Sequence, residues 1–336
     1  MDEILENRML ALWSALLPRA PGQIGGLHET DAELVDLGGG RLLALKVDAV
    51  VEEVTSGLYK DPRTVGRVAT ASTLSDLAAV GADVLGVLLC ATLPPAGREE
   101  LQTAVAAGVR ETLDPAGIFV LGGDTNEGEH LALAVCAAGL VSRRDLITRV
   151  GAQPGDVVFA SGTLGAGGAL GASVMMGLGG VREDEYRPVP RLREGRALRG
   201  VASCCMDTSD GFLATIDQLA RINEVGFRVT APSAALLHPL AAQLSAAAGL
   251  PAFPFLASYH GEFELVFTVP PGRIDALDSR ARDLGWKPLR VGVIESQPGI
   301  RFGEVEIDAA AVRNAFELSH GDVRRYVDVL LSLAVP

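Results

Sequence analysis

Cysteine and histidine are few in this sequence, and neither occurs in a metal-binding or disulfide pattern. The five histidines are scattered singly, and the four cysteines lie in apolar runs without a CxxC spacing, at Cys90, Cys136, Cys204 and Cys205. Zinc sites use closely spaced cysteine and histidine ligands, and disulfide scaffolds need many cysteines. We therefore predict that the cysteines are small core residues and that the protein occupies the reducing cytoplasm.

Positive charge is also scarce. The chain has 29 Lys and Arg against 42 Asp and Glu, which gives a formal net charge of −13. Binding to a nucleic-acid backbone requires clustered basic side chains, so this balance argues against a nucleic-acid partner. The only lysines are Lys46, Lys60 and Lys287. A phosphate clamp in this protein would therefore rely on arginine or on backbone amides.

Long apolar runs are missing from the sequence as well. The longest lies near residues 131–141 and falls short of the roughly 20 residues that a membrane helix needs. The first six residues are acidic, whereas a secretory signal begins with basic residues. These features predict a soluble cytoplasmic protein with no membrane partner.

The 336 residues suffice for two domains of roughly 150 residues each. Strand-like and helix-like patterns alternate in the first half, with strands at 41–48, 84–92, 118–121 and 131–141 and helices at 65–80 and 98–113. Gly and Pro interrupt the pattern at 149–156. Beyond this point the patterns predict strands at 157–160, 201–206 and 265–269 and a helix at 212–222. We predict an α/β (α+β) fold with domains 1–145 and 146–336.

Aspartate recurs at the ends of apolar segments and in short glycine-containing loops. Hard cations such as Mg²⁺ are held by a few carboxylates, usually together with nucleotide phosphates. The pattern therefore indicates a Mg²⁺-nucleotide enzyme. The candidate ligands occur in five fragments, which are Asp31, Asp48, Ser75-Asp76, Gly122-Gly123-Asp124-Thr125 and Asp207-Thr208-Ser209-Asp210-Gly211.

Each fragment alone also has a plain structural explanation. The segment from Asp207 to Gly211 fits a turn in which Ser209 or Asp210 caps the next helix, and Asp124 fits a tight turn without a ligand. An EF-hand is excluded because the glycine comes one position early. The glycine-rich segment at 162–168 lacks a following Gly-Lys-Ser/Thr, so close helix packing explains it better than phosphate binding does.

Taken together and in order, these fragments resemble the thiamine-monophosphate kinase family of ATP-using enzymes, which is related to aminoimidazole ribonucleotide synthetase. The resemblance covers most of the chain, through residues 74–83, 122–125, 149–156, 187–191, 207–211 and 261–265. It implies a Mg²⁺-dependent kinase that converts thiamine phosphate and ATP into thiamine diphosphate and ADP. It also implies an N-terminal domain that forms a β-barrel across a homodimer, followed by an α/β C-terminal domain.

The resemblance also implies a role for each candidate residue. In the family the matching aspartates bind Mg²⁺ ions that bridge the ATP phosphates, which implies metal ligation by Asp31, Asp48, Asp76, Asp124, Asp207 and Asp210. ATP would be contacted by Gly123, Asp124, Arg149 and Ser209. The catalytic residue, next to the transferred phosphoryl group, would be Asp210. The phosphorylated small-molecule substrate would be contacted by Glu262 and by Thr55, which aligns with a substrate-contacting histidine of the family.

Other features also depart from the family pattern, among them Thr30-Asp31 in place of a paired aspartate and the shortened or shifted segment at 259–265. Lys46-Val47 stands where the family has hydroxyl residues, and no tryptophan follows Trp286 to stack on the substrate. Two other functions also remain open. One is a synthetase or cyclase of the same superfamily that uses ATP to activate a carbonyl or amide oxygen of another substrate. The other is a nucleotide-binding protein that has lost catalysis.

Overall fold

The computed structural model describes residues 4–320 and 322–333 of the protein. The first three residues, which belong to the acidic start used above, lie outside this part. Two sheets with flanking helices make up the fold, so the predicted mixed α/β class is confirmed. No helix of the described residues is long and apolar enough to cross a bilayer.

The N-terminal half forms the first sheet and four helices. Its strands are β1 (Gln23–Ile24), β2 (Glu33–Asp36), β3 (Arg41–Val50), β4 (Asp83–Leu93), β5 (Val120–Glu127) and β6 (Ala132–Ser142). Its helices are α1 (Leu5–Leu16), α2 (Glu52–Thr55), α3 (Pro62–Ala79) and α4 (Arg98–Leu113). The strand order is β1-β2-β3-β6-β4-β5, and only β4 and β5 run parallel among these described neighbours. The sheet is open over the described residues, and β5 is exposed along its whole length at one edge.

The C-terminal half forms the second sheet and nine described helices. Its strands are β7 (Val157–Ala160), β8 (Cys204–Asp207), β9 (Gly226–Val229), β10 (Leu265–Val269), β11 (Leu289–Glu295), β12 (Gly299–Phe302) and β13 (Val305–Ile307). Its helices are α5 (Ala166–Met175), α6 (Leu192–Leu198), α7 (Phe212–Asn223), α8 (Ser233–Leu236), α9 (Pro239–Ala248), α10 (Phe253–Leu256), α11 (Ile274–Leu284), α12 (Ala309–Ser319) and α13 (Val323–Ser332). The strand order is β13-β12-β9-β11-β7-β10-β8, and all five residues of β10 are buried.

Helix α3 is the central element of the fold. It begins after Asp61, whose side chain accepts the backbone N–H of Arg63 at 2.9 Å and so caps the helix. Nearly all of its residues are buried. Its packing on α4 depends on Gly66 and Gly108, because a Cβ on either glycine would lie 2.1 or 1.9 Å from a backbone carbonyl oxygen of the other helix.

The same helix joins the two halves of the chain. It packs on β3 and β6 of the first sheet and contacts α6 and β8 of the second half. Gly195 allows α6 to approach, since a Cβ there would lie 2.1 Å from the carbonyl oxygen of Ala78. The domain boundary predicted near residue 145 lies between Ser142, where β6 ends, and Val157, where β7 begins.

One strand lies elsewhere than predicted. The helix at 98–113 and the strands at 157–160 and 265–269 have the predicted bounds, but the strand expected at 118–121 is β5, which runs from Val120 to Glu127. The Gly-Gly-Asp-Thr fragment therefore lies within a strand and not after one. Its parallel ladder with β4 is the reason, because the pairing continues through Cys90 opposite Asp124 to the end of β4.

Two smaller predictions are also wrong. The strand expected at 201–206 begins only at Cys204, because the backbone N–H groups of Val201 and Ala202 bind the carbonyl oxygen of Leu198 in the turn after α6. Cys90 is exposed instead of buried, because it lies on the uncovered face of the first sheet. Cys136 is partly buried, and only the adjacent pair at 204–205 is fully buried as expected.

Glu262 ties together two loops that border the junction between the halves. One carboxylate oxygen accepts the backbone N–H of Gly165, at the start of α5, at 2.6 Å, and the other accepts the hydroxyl of Thr208, after β8, at 3.0 Å. The residue is only 5% exposed, and this burial raises the pKa of its carboxyl group to about 8. The folded protein therefore favours the protonated form of Glu262.

This burial predicts a pH-dependent stability. Between pH 4.5, the ordinary pKa of a glutamate, and pH 8 the unfolded chain loses a proton that the folded chain retains, so the free energy of unfolding falls as the pH rises. The slope approaches about 1.4 kcal/mol per pH unit. Glu262→Gln should remove this slope, as measured by urea unfolding at pH 5, 6, 7 and 8. Glu129→Gln, at a side chain that is 89% exposed, is the matched control. Equal pH slopes for the parent and Glu262→Gln would contradict the prediction.

Candidate active site

Three buried aspartates from distant segments meet where the two halves join. Asp31 lies in the loop before β2, Asp76 in the last turn of α3, and Asp207 at the end of β8. One carboxylate oxygen of each lies within 4.8 Å of the others. We call this group the carboxylate cluster. It brings together three of the residues that the sequence selects as metal ligands.

Neighbouring polar side chains hold the carboxylate cluster in place. Arg149 donates to Asp31 from both Nε and a terminal nitrogen, at 3.0 and 2.5 Å, and both bonds end on the same oxygen, Oδ1. Ser75 donates its hydroxyl to Asp207 Oδ2, and Ser209 donates to Asp207 Oδ1 at 3.1 Å. Arg149 and Ser209, which the sequence predicts to contact ATP, therefore bind the cluster directly.

Lys46 also enters the cluster, from β3. Its Nζ lies 2.9 Å from Asp76 Oδ1 and 3.6 Å from Asp48 Oδ1, and it approaches the backbone carbonyl oxygen of Asp31 at 3.4 Å. Lys46 and Asp48 are two residues apart on the strand, so their side chains leave the same face. Asp48 is thus joined to the carboxylate cluster through the ammonium group of Lys46.

The electrostatics of the site reflect its burial. Burial opposes the charge of Lys46, but the carboxylates of Asp76 and Asp48 outweigh it and raise the pKa of the ammonium group. Asp31 likewise outweighs the burial of Arg149 and raises the pKa of its guanidinium. Burial, followed by repulsion from Asp31, raises the pKa of Asp207 to about 6. Both basic side chains are therefore charged at neutral pH, and the carboxylates are crowded enough to favour a further cation.

The donor set fits Mg²⁺. Asp31 Oδ2 and Asp48 Oδ2 are buried and have no hydrogen-bond partner within the described residues. A buried carboxylate oxygen without a partner is costly, and coordination to a hard cation would satisfy it. Such an ion would be held by Asp31, Asp76 and Asp207, with Asp48 beside them.

A cavity of about 360 Å³ opens beside the cluster. Charged and polar residues that line it include Lys46, Asp48, Asp76, Ser209 and Asp210. Most of its remaining surface is apolar and comes from α5, α10 and the two C-terminal helices. Asp210, the predicted catalytic residue, therefore shares one cavity with two of the predicted metal ligands.

Three aromatic side chains form part of the cavity surface, and we call them the aromatic wall. The rings of Tyr259 and Phe316 are stacked, with centroids 4.7 Å apart and an interplanar angle of 2°. Tyr326 meets Phe316 edge-on, at 5.7 Å and 90°. The hydroxyl of Tyr326 accepts the backbone N–H of Tyr259 at 2.8 Å, which fixes the loop to α13.

Four predicted site residues lie apart from this arrangement. Gly123 and Asp124 are exposed on the edge strand β5, where Asp124 accepts a hydrogen bond from Asn126 at 3.0 Å. Thr55 is exposed at the end of α2, and Glu262 is buried between its two loops. Neither Thr55 nor Glu262 belongs to the described residues that line the cavity.

Sequence reasoning missed the aromatic wall and the bond from Ser75 to Asp207. Phe316 and Tyr326 lie on separate helices and meet only through tertiary packing, so no local pattern marks them. Ser75 offered a weak signal, as a polar side chain next to Asp76 within an otherwise apolar helix segment.

Comparisons with known proteins identify the family to which this chain is similar. A family model described as AIR synthase related protein, N-terminal domain, matches residues 29–141. Thiamine-monophosphate kinase from Haemophilus influenzae is 30% identical over 276 residues, which cover 80% of this chain and 83% of that protein.

Two solved structures share the fold. Thiamine-monophosphate kinase from Stenotrophomonas maltophilia is 29% identical, with a TM-score of 0.69 over 88% of this chain and 94% of that one. AaThiL complexed with AMPPCP and TMP is 21% identical, with a TM-score of 0.74 over 91% of this chain and 96% of that one.

The family model covers part of the residues that form the site. The AIR synthase-related model spans Asp31, Lys46, Asp48 and Asp76, and the H. influenzae kinase matches over most of both chains. The chain therefore belongs to the thiamine-monophosphate kinase family, within the AIR synthase-related superfamily.

Proposed function

We propose that this protein is a Mg²⁺-dependent kinase that transfers the γ-phosphoryl group of ATP to thiamine phosphate. The observation that carries the proposal is that one cavity is bordered by Asp76 of the carboxylate cluster, by Lys46 and Asp48 beside it, and by the aromatic wall. Carboxylates suit Mg²⁺ and a polyphosphate, whereas stacked aromatic rings suit a flat heteroaromatic substrate. The names of the relatives support the same reaction.

Phosphoryl transfer needs positioned groups and neutralised charge more than covalent help. Asp31, Asp76 and Asp207 would hold Mg²⁺, which supplies the charge neutralisation for the ATP phosphates. Arg149 holds Asp31 in position, and Ser75 orients Asp207. These two bonds keep three ligands from separate segments at fixed distances.

The acceptor in this reaction is a phosphate group. Its second pKa is near 6, so it is mostly dianionic at neutral pH and attacks without losing a proton. A general base is therefore unnecessary. We propose that Asp210, acting with the metal that the cluster would hold, positions the acceptor phosphate and the γ-phosphate of ATP. We propose that Ser209 contacts ATP. Both residues line the cavity beside Asp76.

The cavity also suits the positive charge of a thiazolium ring. Glu52 and Glu53, at the start of α2, line it together with Asp48 and provide carboxylates outside the cluster. The aromatic wall takes the place of the missing C-terminal tryptophan as a stacking surface. Thr55 and Glu262 lie outside the cavity surface, so we propose that both act on the substrate indirectly. Thr55 would support the substrate contacts of α2, and Glu262 would support those of the glycine-rich segment at 162–168, which it binds at Gly165.

We further propose that the protein is a cytoplasmic homodimer in which the first sheets of two copies close into a barrel. Leu121 lies on the edge strand β5 and is 59% exposed, and Phe119, just before this strand, is 74% exposed. Val47 and Leu88 are exposed on the same sheet. An exposed apolar edge strand invites pairing with another strand. The dimer would cover β5 and bring Gly123 and Asp124 into a shared site, where we propose they contact ATP and Mg²⁺.

The kinase assignment predicts a specific product. The parent protein, incubated with Mg-ATP and thiamine phosphate, should release ADP and thiamine diphosphate in equal amounts, as measured by chromatography. Asp210→Asn should lower the rate by on the order of 100-fold, because it removes a carboxylate that we propose helps to hold Mg²⁺. Asp275→Asn, at an exposed position in the first turn of α11, should leave the rate unchanged.

Two results would contradict this assignment. A parent that binds Mg-ATP but forms no diphosphate would favour the inactive nucleotide-binding alternative. ADP release that requires a carbonyl or amide substrate instead would favour the synthetase alternative.

The aromatic wall predicts an effect on substrate affinity. Phe316→Ala removes the central ring of the wall, and we expect the KM for thiamine phosphate to rise about tenfold with a smaller change in kcat, since a lost aromatic contact costs about 1.4 kcal/mol. Leu318→Ala, on the same helix but 52% exposed and outside the cavity, should keep the parental KM. An unchanged KM in Phe316→Ala would exclude the wall as the stacking surface.

The proposed dimer predicts a response to charge on β5. Sedimentation equilibrium should show a dimer for the parent and a monomer for Leu121→Asp, because a buried unpaired carboxylate at the interface is costly. Val305→Asp places the same charge on the edge strand β13, where the apolar residue is 47% exposed, and should remain dimeric. A monomeric parent, or a Leu121→Asp variant that dimerises as well as the parent, would refute the interface.

A further inference from the structure

Lys46 lies where a divalent cation would be expected. Its Nζ is surrounded by oxygens from three segments, namely Asp76 Oδ1 at 2.9 Å, the Asp31 carbonyl at 3.4 Å and Asp48 Oδ1 at 3.6 Å. An ammonium group is a compact point charge with three donors, so it satisfies such a set of oxygens much as a hard cation does. We propose that Lys46 is a built-in cation that replaces one divalent ion of this site. The inference rests on the proposed Mg²⁺ dependence, and it deepens that proposal.

The charges of the site support this replacement. The four carboxylates of Asp31, Asp48, Asp76 and Asp207 face two fixed cations, Lys46 and Arg149. With all four carboxylates ionised, as metal binding requires, the remainder is two negative charges, which one divalent ion neutralises. An uncharged residue at position 46 would leave three negative charges and an open position between Asp76 and Asp48, which favours a second divalent ion.

The unpaired oxygens show where a divalent ion can still bind. Both bonds from Arg149 end on Oδ1 of Asp31, and Lys46 takes Oδ1 of Asp48 and of Asp76. Oδ2 of Asp31 and Oδ2 of Asp48 are buried without a hydrogen-bond partner in the described part of the chain. Lys46 therefore binds Oδ1 of Asp48 and of Asp76 and leaves Oδ2 of Asp31 and of Asp48 for a metal ion.

Replacing an ion by a side chain changes how the site is assembled. A lysine on β3 remains in the site when nucleotide and metal leave, so Asp48 and Asp76 stay together in the free protein. The protein then needs one fewer free divalent ion to bind ATP. Lys46 is a positioning residue in this sense, and it acts on the number of ions bound as well as on catalysis.

The number of bound ions tests this inference directly. Mn²⁺ is titrated by electron paramagnetic resonance into the parent, Lys46→Ser and Lys60→Ser, each saturated with a non-hydrolysable ATP analogue. Lys46→Ser should bind one Mn²⁺ more per chain than the parent, and Lys60→Ser, at an exposed lysine, should match the parent. Equal and nonzero numbers for Lys46→Ser and the parent would overturn the inference while leaving the proposed function intact. A parent that binds no Mn²⁺ would overturn both.

Thermal unfolding gives a second readout if Lys46→Ser is unstable. Without Lys46 the neighbouring carboxylates repel one another, so the Tm of the variant in EDTA should fall below that of the parent. Excess Mn²⁺ should raise the Tm of Lys46→Ser more than it raises the Tm of the parent, because the ion takes up the vacated position. Equal Mn²⁺-induced shifts in Tm would contradict the replacement of an ion by Lys46.

Lys46→Met, which fills the position without charge, should lose stability in EDTA but gain no additional ion.

Discussion

The compensation of buried negative charge is the constraint on which the site depends. Carboxylates from four segments lie close together, and each would be costly to bury alone. Lys46 and Arg149 compensate part of this charge from β3 and from the linker between the halves, and they leave one oxygen of Asp31 and one of Asp48 without a partner among the described residues. The protein thus holds these carboxylates in place and leaves oxygens that suit the proposed metal ion.

Helix α3 makes this arrangement possible. The glycines that allow α4 and α6 to approach closely place the helix between the two halves, so that its last turn faces both β3 and the end of β8. Ser75 and Asp76 are consecutive residues, yet one binds Asp207 of the second half and the other binds Lys46 of the first sheet. Close backbone packing around α3 therefore helps to fix the distances between these side chains.

The sequence was sufficient to predict the mixed fold, several elements and the aspartates that meet in the carboxylate cluster, because these follow from periodicity and from short fragments with typical spacing. It was insufficient for Phe316 and Tyr326, which meet through the packing of two C-terminal helices. It also placed Asp124 after a strand, whereas pairing with β4 draws that residue into β5. Whether a residue such as Asp124 lies within a strand or after it depends on pairing with a distant strand, which a local sequence pattern does not reveal.

The two sides of the cavity have different structural origins. Asp76 lies on α3, Asp48 on β3 and Asp207 at the end of β8, elements that the core of the fold fixes, and Asp31 lies in the loop just before β2. The aromatic wall lies on a loop and two peripheral helices, so its residues can change without moving a ligand. A change of Tyr259, Phe316 or Tyr326 would therefore alter the proposed stacking surface and leave the proposed phosphoryl-transfer site in place.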